Sequence, residues 1–166
     1  IKQLLERSTS TKFMIMTVNA GYLPNNHWVH DPKIGGGRII GEVCHFIDLL
    51  RFLAESPIEK WSKSDMITPT NDSITVTLNF KNGSIGTIHY FANGAKSFPK
   101  ERLEVFSEGR VLQLDNFRKL QSFGWQGFKK NLWRQDKGQT TCINAFVNFL
   151  DEKKQLSWND ASIFNA

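Results

Sequence analysis

Residues 73–92 read SITVTLNFKNGSIGTIHYFA, and the way this stretch is read decides the fold. Ile74, Val76, Leu78 and Phe80 alternate with threonine and asparagine. That is the period-two pattern of a strand with one buried face. Asn82 and Gly83 stand at the centre of a turn in which both central residues can take positive φ. Residues 85–92 then return antiparallel to the first strand. Further along, ERLEVFS (101–107), the turn EGR and VLQLDN (111–116) form a second hairpin, and KLQSFG (119–124) adds a further strand. Upstream, KFMIMTVNA (12–20) reads as a buried strand.

Around these strands the period changes to that of helices. Ile39, Ile40, Val43, Phe46, Ile47, Leu50 and Leu53 place a helix over 38–54. Cys142, Ile143, Phe146, Phe149 and Leu150 place another over 140–154, and IKQLLERS (1–8) reads as the tail of a helix. Antiparallel strands between a few helices predict an α+β domain: one open, mostly antiparallel sheet with helices packed on one face. The chain is expected to be a single domain over 1–166. It begins at Ile1 without a methionine and ends in what reads as the opening of a helix, so a longer parent protein is expected.

Composition narrows the function classes. Hydrophobic residues at 40% and charged residues at 22% are an ordinary globular balance and exclude a disordered chain. No apolar run reaches the length of a membrane span and no leader pattern is present, so a cytoplasmic protein without a membrane partner is expected. Cys44 and Cys142 sit in apolar helical patterns and read as reduced core residues. The net charge of +5 is concentrated in FRKLQSFGWQGFKKNLWRQDKG (117–138), where basic and aromatic residues interleave. Such a surface can bind phosphates and stack bases, but no nucleic-acid-binding module accompanies it, and a solvated hairpin explains it as well. No nucleic-acid partner is expected. A small anionic substrate such as a nucleotide sugar would use the same positive field.

Between strand and helix lies a long loop, 21–37, containing His27, Trp28, His30, Asp31 and the run Gly35-Gly36-Gly37. The glycine spacing is not the G-x-G-x-x-G of a dinucleotide fold, and it follows a loop rather than a strand. Two histidines and an aspartate can ligate zinc, yet H-x-x-H in a proline-containing loop names no metal, and none is expected. On the helix that follows, Arg38, Glu42 and His45 fall on one stripe at 100° per residue. Gly41 lies one turn before His45 and Asp48 one turn after it. Imidazole can take up and return a proton near neutral pH, which suits it to acid/base catalysis. A helix histidine merely hydrogen-bonded by Asp48 or Glu42 fits the same pattern.

The stretch NAGYLPNNHWVHDPKIGGGRIIGEVCHFIDLLRFL (19–53) resembles the C-terminal-domain signature of the glucose–fructose oxidoreductase/inositol dehydrogenase (Gfo/Idh/MocA) family. The form GGGRIIGEVCHFIDLL is most similar to the branch found in bacterial polysaccharide biosynthesis. The resemblance extends over the sheet segments and the late helix, so it covers nearly the whole chain. It implies the sheet domain of a two-domain enzyme, akin to the C-terminal domain of glyceraldehyde-3-phosphate dehydrogenase. The partner half would be an N-terminal Rossmann domain absent from this chain. It implies NAD or NADP, bound mainly by that absent half, and a sugar or nucleotide-sugar substrate whose hydroxyl carbon exchanges hydride. It also implies a homo-oligomer, dimer or tetramer, assembled through the sheet.

Carried over residue by residue, the resemblance assigns proton transfer to His45 and to a lysine of the absent half; Glu42 joins the catalytic group by orienting His45 from one turn away, or pairs with Arg38 instead. The resemblance assigns substrate contacts to Asn19, His27, Trp28, His30 and Arg38, and cofactor contacts to Gly36 and Gly37. One position departs from the pattern. The family's aspartate four residues before the histidine is Gly41 here, and Glu42 is its acidic neighbour. That departure keeps a second reading open, a non-catalytic sugar-binding or redox-sensing relative on the same scaffold. On either reading the isolated chain is expected to be inactive without its Rossmann half.

Overall fold

The computed structural model describes residues 1–5, 10–31, 33–125 and 128–152. Among the described residues eight strands form one sheet in the order β2-β3-β4-β1-β5-β6-β7-β8. They are β1 (Phe13–Asn19), β2 (Ile58–Asp65), β3 (Ile74–Phe80), β4 (Ile85–Phe91), β5 (Glu101–Ser107), β6 (Arg110–Asp115), β7 (Lys119–Phe123) and β8 (Lys129–Asn131). Only β1 and β4 pair parallel, and the other neighbours are antiparallel. The open, mostly antiparallel α+β architecture is the one the strand pattern predicts.

Alternation along β1, β3, β4 and β5 divides the sheet into two faces. Met14, Met16 and Val18 of β1, Ile74, Val76, Leu78 and Phe80 of β3, and Leu103 and Val105 of β5 are buried on one of them. Helix α2 (Cys44–Ala54) covers that face with Phe46, Leu50, Leu53 and Ala54. Gly86 lets it come close, because a Cβ there would stand 2.9 Å from Leu50 Cδ1. The hairpin turn also anchors the helix end. Asn82 Nδ2 donates to the Ala54 carbonyl at 2.9 Å, and Asn82 N–H to Ser56 Oγ at 3.1 Å. Of the two central turn residues only Gly83 takes positive φ. The turn is therefore closed by Asn82 Oδ1 accepting from Ser84 N–H at 3.0 Å rather than by two left-handed residues.

The structure corrects the sequence reading at four places. Strand β2 carries no alternation, since every residue but Ile58 is exposed, so no period marks it. The predicted helix over 38–54 begins instead as a π-helical turn, Ile39–Val43, which runs into α2 and leaves Ile40 on the outside. Helix α3 (Gln139–Glu152) forms as predicted, but none of its described side chains is buried. Cys44 is exposed and Cys142 half-buried, so neither is a core residue, although both are free thiols as expected. Residues 153–154 of the predicted late helix lie outside the described residues, as do 6–8 of the N-terminal one; α1 spans Lys2–Leu5.

Candidate active site around the glycine loop

The loop 21–37 is closed by the residue that follows it. Arg38 is only 4% exposed, and its Nη1 and Nη2 donate to the carbonyls of Gly21 at 2.7 Å and Ala20 at 2.6 Å, where the loop begins. Its guanidinium also lies 5.7 Å from the Tyr90 ring centroid, and 3.9 Å from Asp72. A planar donor fork suits two neighbouring carbonyls better than an ammonium would. Arg38 thus ties the two ends of the loop together from beneath.

Inside the loop the backbone folds on itself. Residues Trp28–His30 form a 3-10 turn capped by His27, whose Nδ1 accepts from Val29 N–H at 3.3 Å. The glycines fold back onto that turn. Gly35 and Gly36 donate to the Asp31 carbonyl at 2.8 and 3.0 Å, and Gly37 to the Val29 carbonyl at 3.0 Å. A Cβ on Gly35 would stand 2.4 Å from Val29 Cα, so no other residue fits there without moving the backbone. Gly36 and Gly37 have φ of +66° and +85°, and nothing lies within 4 Å of where a Cβ would be. Their amides are engaged within the loop, so they present a flat, bare surface and not a phosphate cradle. The His27 ring lies 5.7 Å from Trp28 and 6.4 Å from His30, and Trp28 is exposed. His30 Nε2 is buried without a hydrogen bond among the described residues.

Glu42, in the π-helical turn, pairs with residues other than His45. Its carboxylate lies 3.5 Å from Arg38 Nε and 3.2 Å from Lys100 Nζ. Burial opposes its charge, but the Lys100 ammonium, which donates to it, and the Arg38 charge outweigh that and hold the carboxyl below its usual value. Tyr90 is fully buried beside it. Burial and the Glu42 carboxylate push the phenol up, and no hydrogen bond of normal geometry reaches its hydroxyl among the described residues. Asn19 is buried as well, its Nδ2 donating to the carbonyls of Ala95 at 2.8 Å and Phe98 at 3.3 Å.

The predicted site residues therefore fall into three groups. Asn19, Arg38 and Glu42 belong to a buried polar framework that holds the loop and the 94–101 segment. His27, Trp28, His30, Gly36 and Gly37 form the folded loop. His45 is exposed at the start of α2, and none of the described residues hydrogen-bonds its imidazole. Asp48 pairs with Arg51 at 4.0 Å instead of with His45. Gly41 is exposed, with open space where its Cβ would be, so nothing occupies the position beside His45. Lys100, Tyr90 and Asp72 complete the framework and went unnoticed in the sequence. Tyr90 sits in the alternation of a core strand, and Lys100 and Asp72 in loops without a motif, so no local signal marks them.

An open α+β sheet with a glycine loop feeding a histidine-bearing helix defines the class: a sheet domain with one chemically equipped end. The chain belongs to the GFO/IDH/MocA family of oxidoreductases, whose C-terminal-domain profile matches residues 10–112. Several solved structures share the fold. UDP-N-acetylglucosamine 3-dehydrogenase GnnA from Acidithiobacillus ferrooxidans superposes with a TM-score of 0.69 at 16% identity, over 97% of this chain and 52% of that one. Levoglucosan dehydrogenase gives 0.73 at 14%, over 98% and 56%. A super-repressor mutant of Gal80p from Saccharomyces cerevisiae gives 0.70 at 14%, over 95% and 50%. The chain spans about half the length of these relatives. No curated protein matches it in sequence.

Proposed function

We propose that this chain is the substrate-side half of a nicotinamide-dependent oxidoreductase acting on a sugar or nucleotide sugar, with His45 as its acid/base group. The observation that carries the reading is the position of His45. It is a solvent-facing imidazole with no internal partner, beside a vacant glycine position and at the foot of a loop locked in place by Arg38. A histidine held for structure would have had Asp48 or Glu42 as a partner, and both are turned to other residues.

The other half of the enzyme, a Rossmann domain, holds NAD or NADP, which supplies or accepts the hydride. Gly36 and Gly37 fit a flat contact with the nicotinamide ring, while the dinucleotide phosphates belong to the Rossmann half. His45 removes the proton from the substrate hydroxyl as the carbinol carbon becomes a carbonyl, and returns it in the reverse direction. His27, Trp28 and His30 line the sugar side. Asn19, Arg38 and Glu42 act through position, holding the loop and the turn that leads into α2. A homo-oligomer forms through the uncovered sheet face, where Ile85, Phe13, Phe106, Val111 and Phe123 stand in one row across five strands. No described helix is long and apolar enough to cross a membrane. The proposed enzyme is cytoplasmic and works without membrane or nucleic-acid partners.

In the full-length enzyme, His45→Asn should lower turnover by roughly 10²–10⁴-fold, the range for losing a general acid/base, with cofactor affinity unchanged. Turnover at the wild-type rate would remove the assignment. Gly41 favours the second reading, a non-catalytic relative, because the family's aspartate is missing. Gly41→Asp has room for its side chain. It should raise turnover in an active enzyme, and turnover absent from both forms would favour the second reading.

A further inference from the structure

Beside the framework, on the far side of Lys100, lies a cavity of about 390 Å³. Lys96, Lys100 and Lys137 line it together with a single carboxylate, Glu101. Glu101 is only 3% exposed and forms the floor. One cation already neutralises it, since Lys137 Nζ donates to Glu101 Oε1 at 2.6 Å. Lys100 stands 4.0 Å from the same oxygen and is shared with Glu42. Lys96 forms no ion pair among the described residues, and its stem rests against Gly21, where a Cβ would meet Lys96 Cγ at 2.8 Å. The cavity therefore holds more positive charge than its own carboxylate requires. Asn116 braces the floor, its Oδ1 accepting from Glu101 N–H at 2.9 Å and its N–H donating to the Glu101 carbonyl at 2.7 Å. At the rim Phe98 turns an exposed ring outward, 66% accessible.

We infer that this cavity is the subsite for the diphosphate of a nucleoside-diphosphate-linked substrate, with Lys96 and Lys100 on the phosphoryl oxygens and Phe98 against the base. The inference rests on the reading of the chain as a sugar oxidoreductase and names the substrate class of that site. Lysine ammonium groups bind phosphate as point charges, and an aromatic face stacks any base. The volume exceeds the needs of a lone phosphate and falls in the range of small-ligand sites. Lys100 joins the cavity to the π-helical turn through Glu42. When an anion draws Lys100 away, Glu42 has Arg38 Nε and the Tyr90 hydroxyl within its surroundings, both buried and without a hydrogen bond. Ligand binding is thereby coupled to the turn that leads into the His45 helix.

The test is calorimetric titration of the full-length protein saturated with NAD(P), so that the dinucleotide site is filled. The probes are uridine diphosphate, pyrophosphate and an unphosphorylated sugar. Uridine diphosphate should bind saturably, with pyrophosphate competing. Lys96→Glu, at an exposed position, should weaken uridine diphosphate about tenfold or more, the loss of a charge-assisted contact. Phe98→Ser should weaken the nucleotide and leave pyrophosphate unchanged. No binding of uridine diphosphate, or equal binding by Lys96→Glu, would overturn the inference. Pyrophosphate and nucleotide binding alike, with Phe98→Ser without effect, would also overturn it by showing a site for free inorganic anions. The two readings fail separately. Nucleotide binding in a protein that turns over no sugar leaves the subsite standing and removes the oxidoreductase. Turnover of a plain sugar without nucleotide binding does the reverse.

Discussion

Helix α2 lays Phe46, Leu50, Leu53 and Ala54 on the sheet, whereas α3 leaves Ile143, Phe146, Val147 and Leu150 exposed. The two helices carry similar apolar periodicity in sequence. They differ in what the rest of the chain offers them. α2 meets a sheet face made for it: Gly86 is bare beneath Leu50, and the side chain of Asn82 ties the β3–β4 turn to the helix end. For α3 no such surface exists among the described residues. Periodicity specifies that a helix has a face; the partner surface decides whether that face is covered and how much stability it contributes.

The contrast can be broken or sharpened by substitution. The largest effect is expected in α2, where Leu50→Ala should cost about 2–5 kcal/mol, the range for a large buried side chain cut to alanine. Urea titration of this chain checks it, and a loss below about 1 kcal/mol would mean that α2 is not the keystone of the core. Next comes the glycine loop, where packing is backbone on backbone. Gly35→Ala should cost about 1–3 kcal/mol, as overpacking does, and should open the loop to limited proteolysis. An unchanged cleavage pattern would contradict the close approach to Val29.

The polar framework should give a smaller, pH-dependent effect. Because the folded carboxyl of Glu42 is held below its ordinary value, its contribution is present above about pH 4.3 and is lost as pH falls through the lower folded value. Glu42→Gln should therefore lower Tm at neutral pH and flatten the dependence of Tm on pH below about 4.3. Parallel acid profiles for the two proteins would show that Lys100 and Arg38 do not stabilise the carboxylate. The smallest effect belongs to α3. Phe146→Ala should change the stability of this chain by no more than about 0.5 kcal/mol, the usual range for surface positions. A loss comparable to that of Leu50→Ala would erase the difference between the helices.

How much of this was legible depended on whether the relevant pattern was local. β3 and β4 announce themselves because each alternates between a buried and an open face, and β1 and β5 follow the same rule. β2 does not, because an edge strand exposed along its length has no alternation to show. His45 was legible as a residue type on a helix, and its neighbours were not. Glu42 could reach either His45 or Arg38 from one turn away; in the π-helical turn its carboxylate pairs with Arg38, and also with Lys100, which no spacing announced. Arg38 entered as a substrate-side residue through the resemblance; that its guanidinium also donates to the carbonyls of Gly21 and Ala20 and so closes the loop has no local signal.

By itself the sequence determined the types of the elements that alternate or repeat at helical spacing, the family signature, the glycines and a histidine placed beside a missing aspartate. These follow from periodicity, turn chemistry and residue identity, all read over short distances along the chain. Only the tertiary structure decided that α2 is covered and α3 exposed, and that Arg38 closes the loop it follows. It alone brought Lys96, Lys100 and Lys137 around one buried carboxylate. Those results depend on contacts between segments far apart in sequence, and on the competition of several donors for the same few acceptors, which no local pattern encodes.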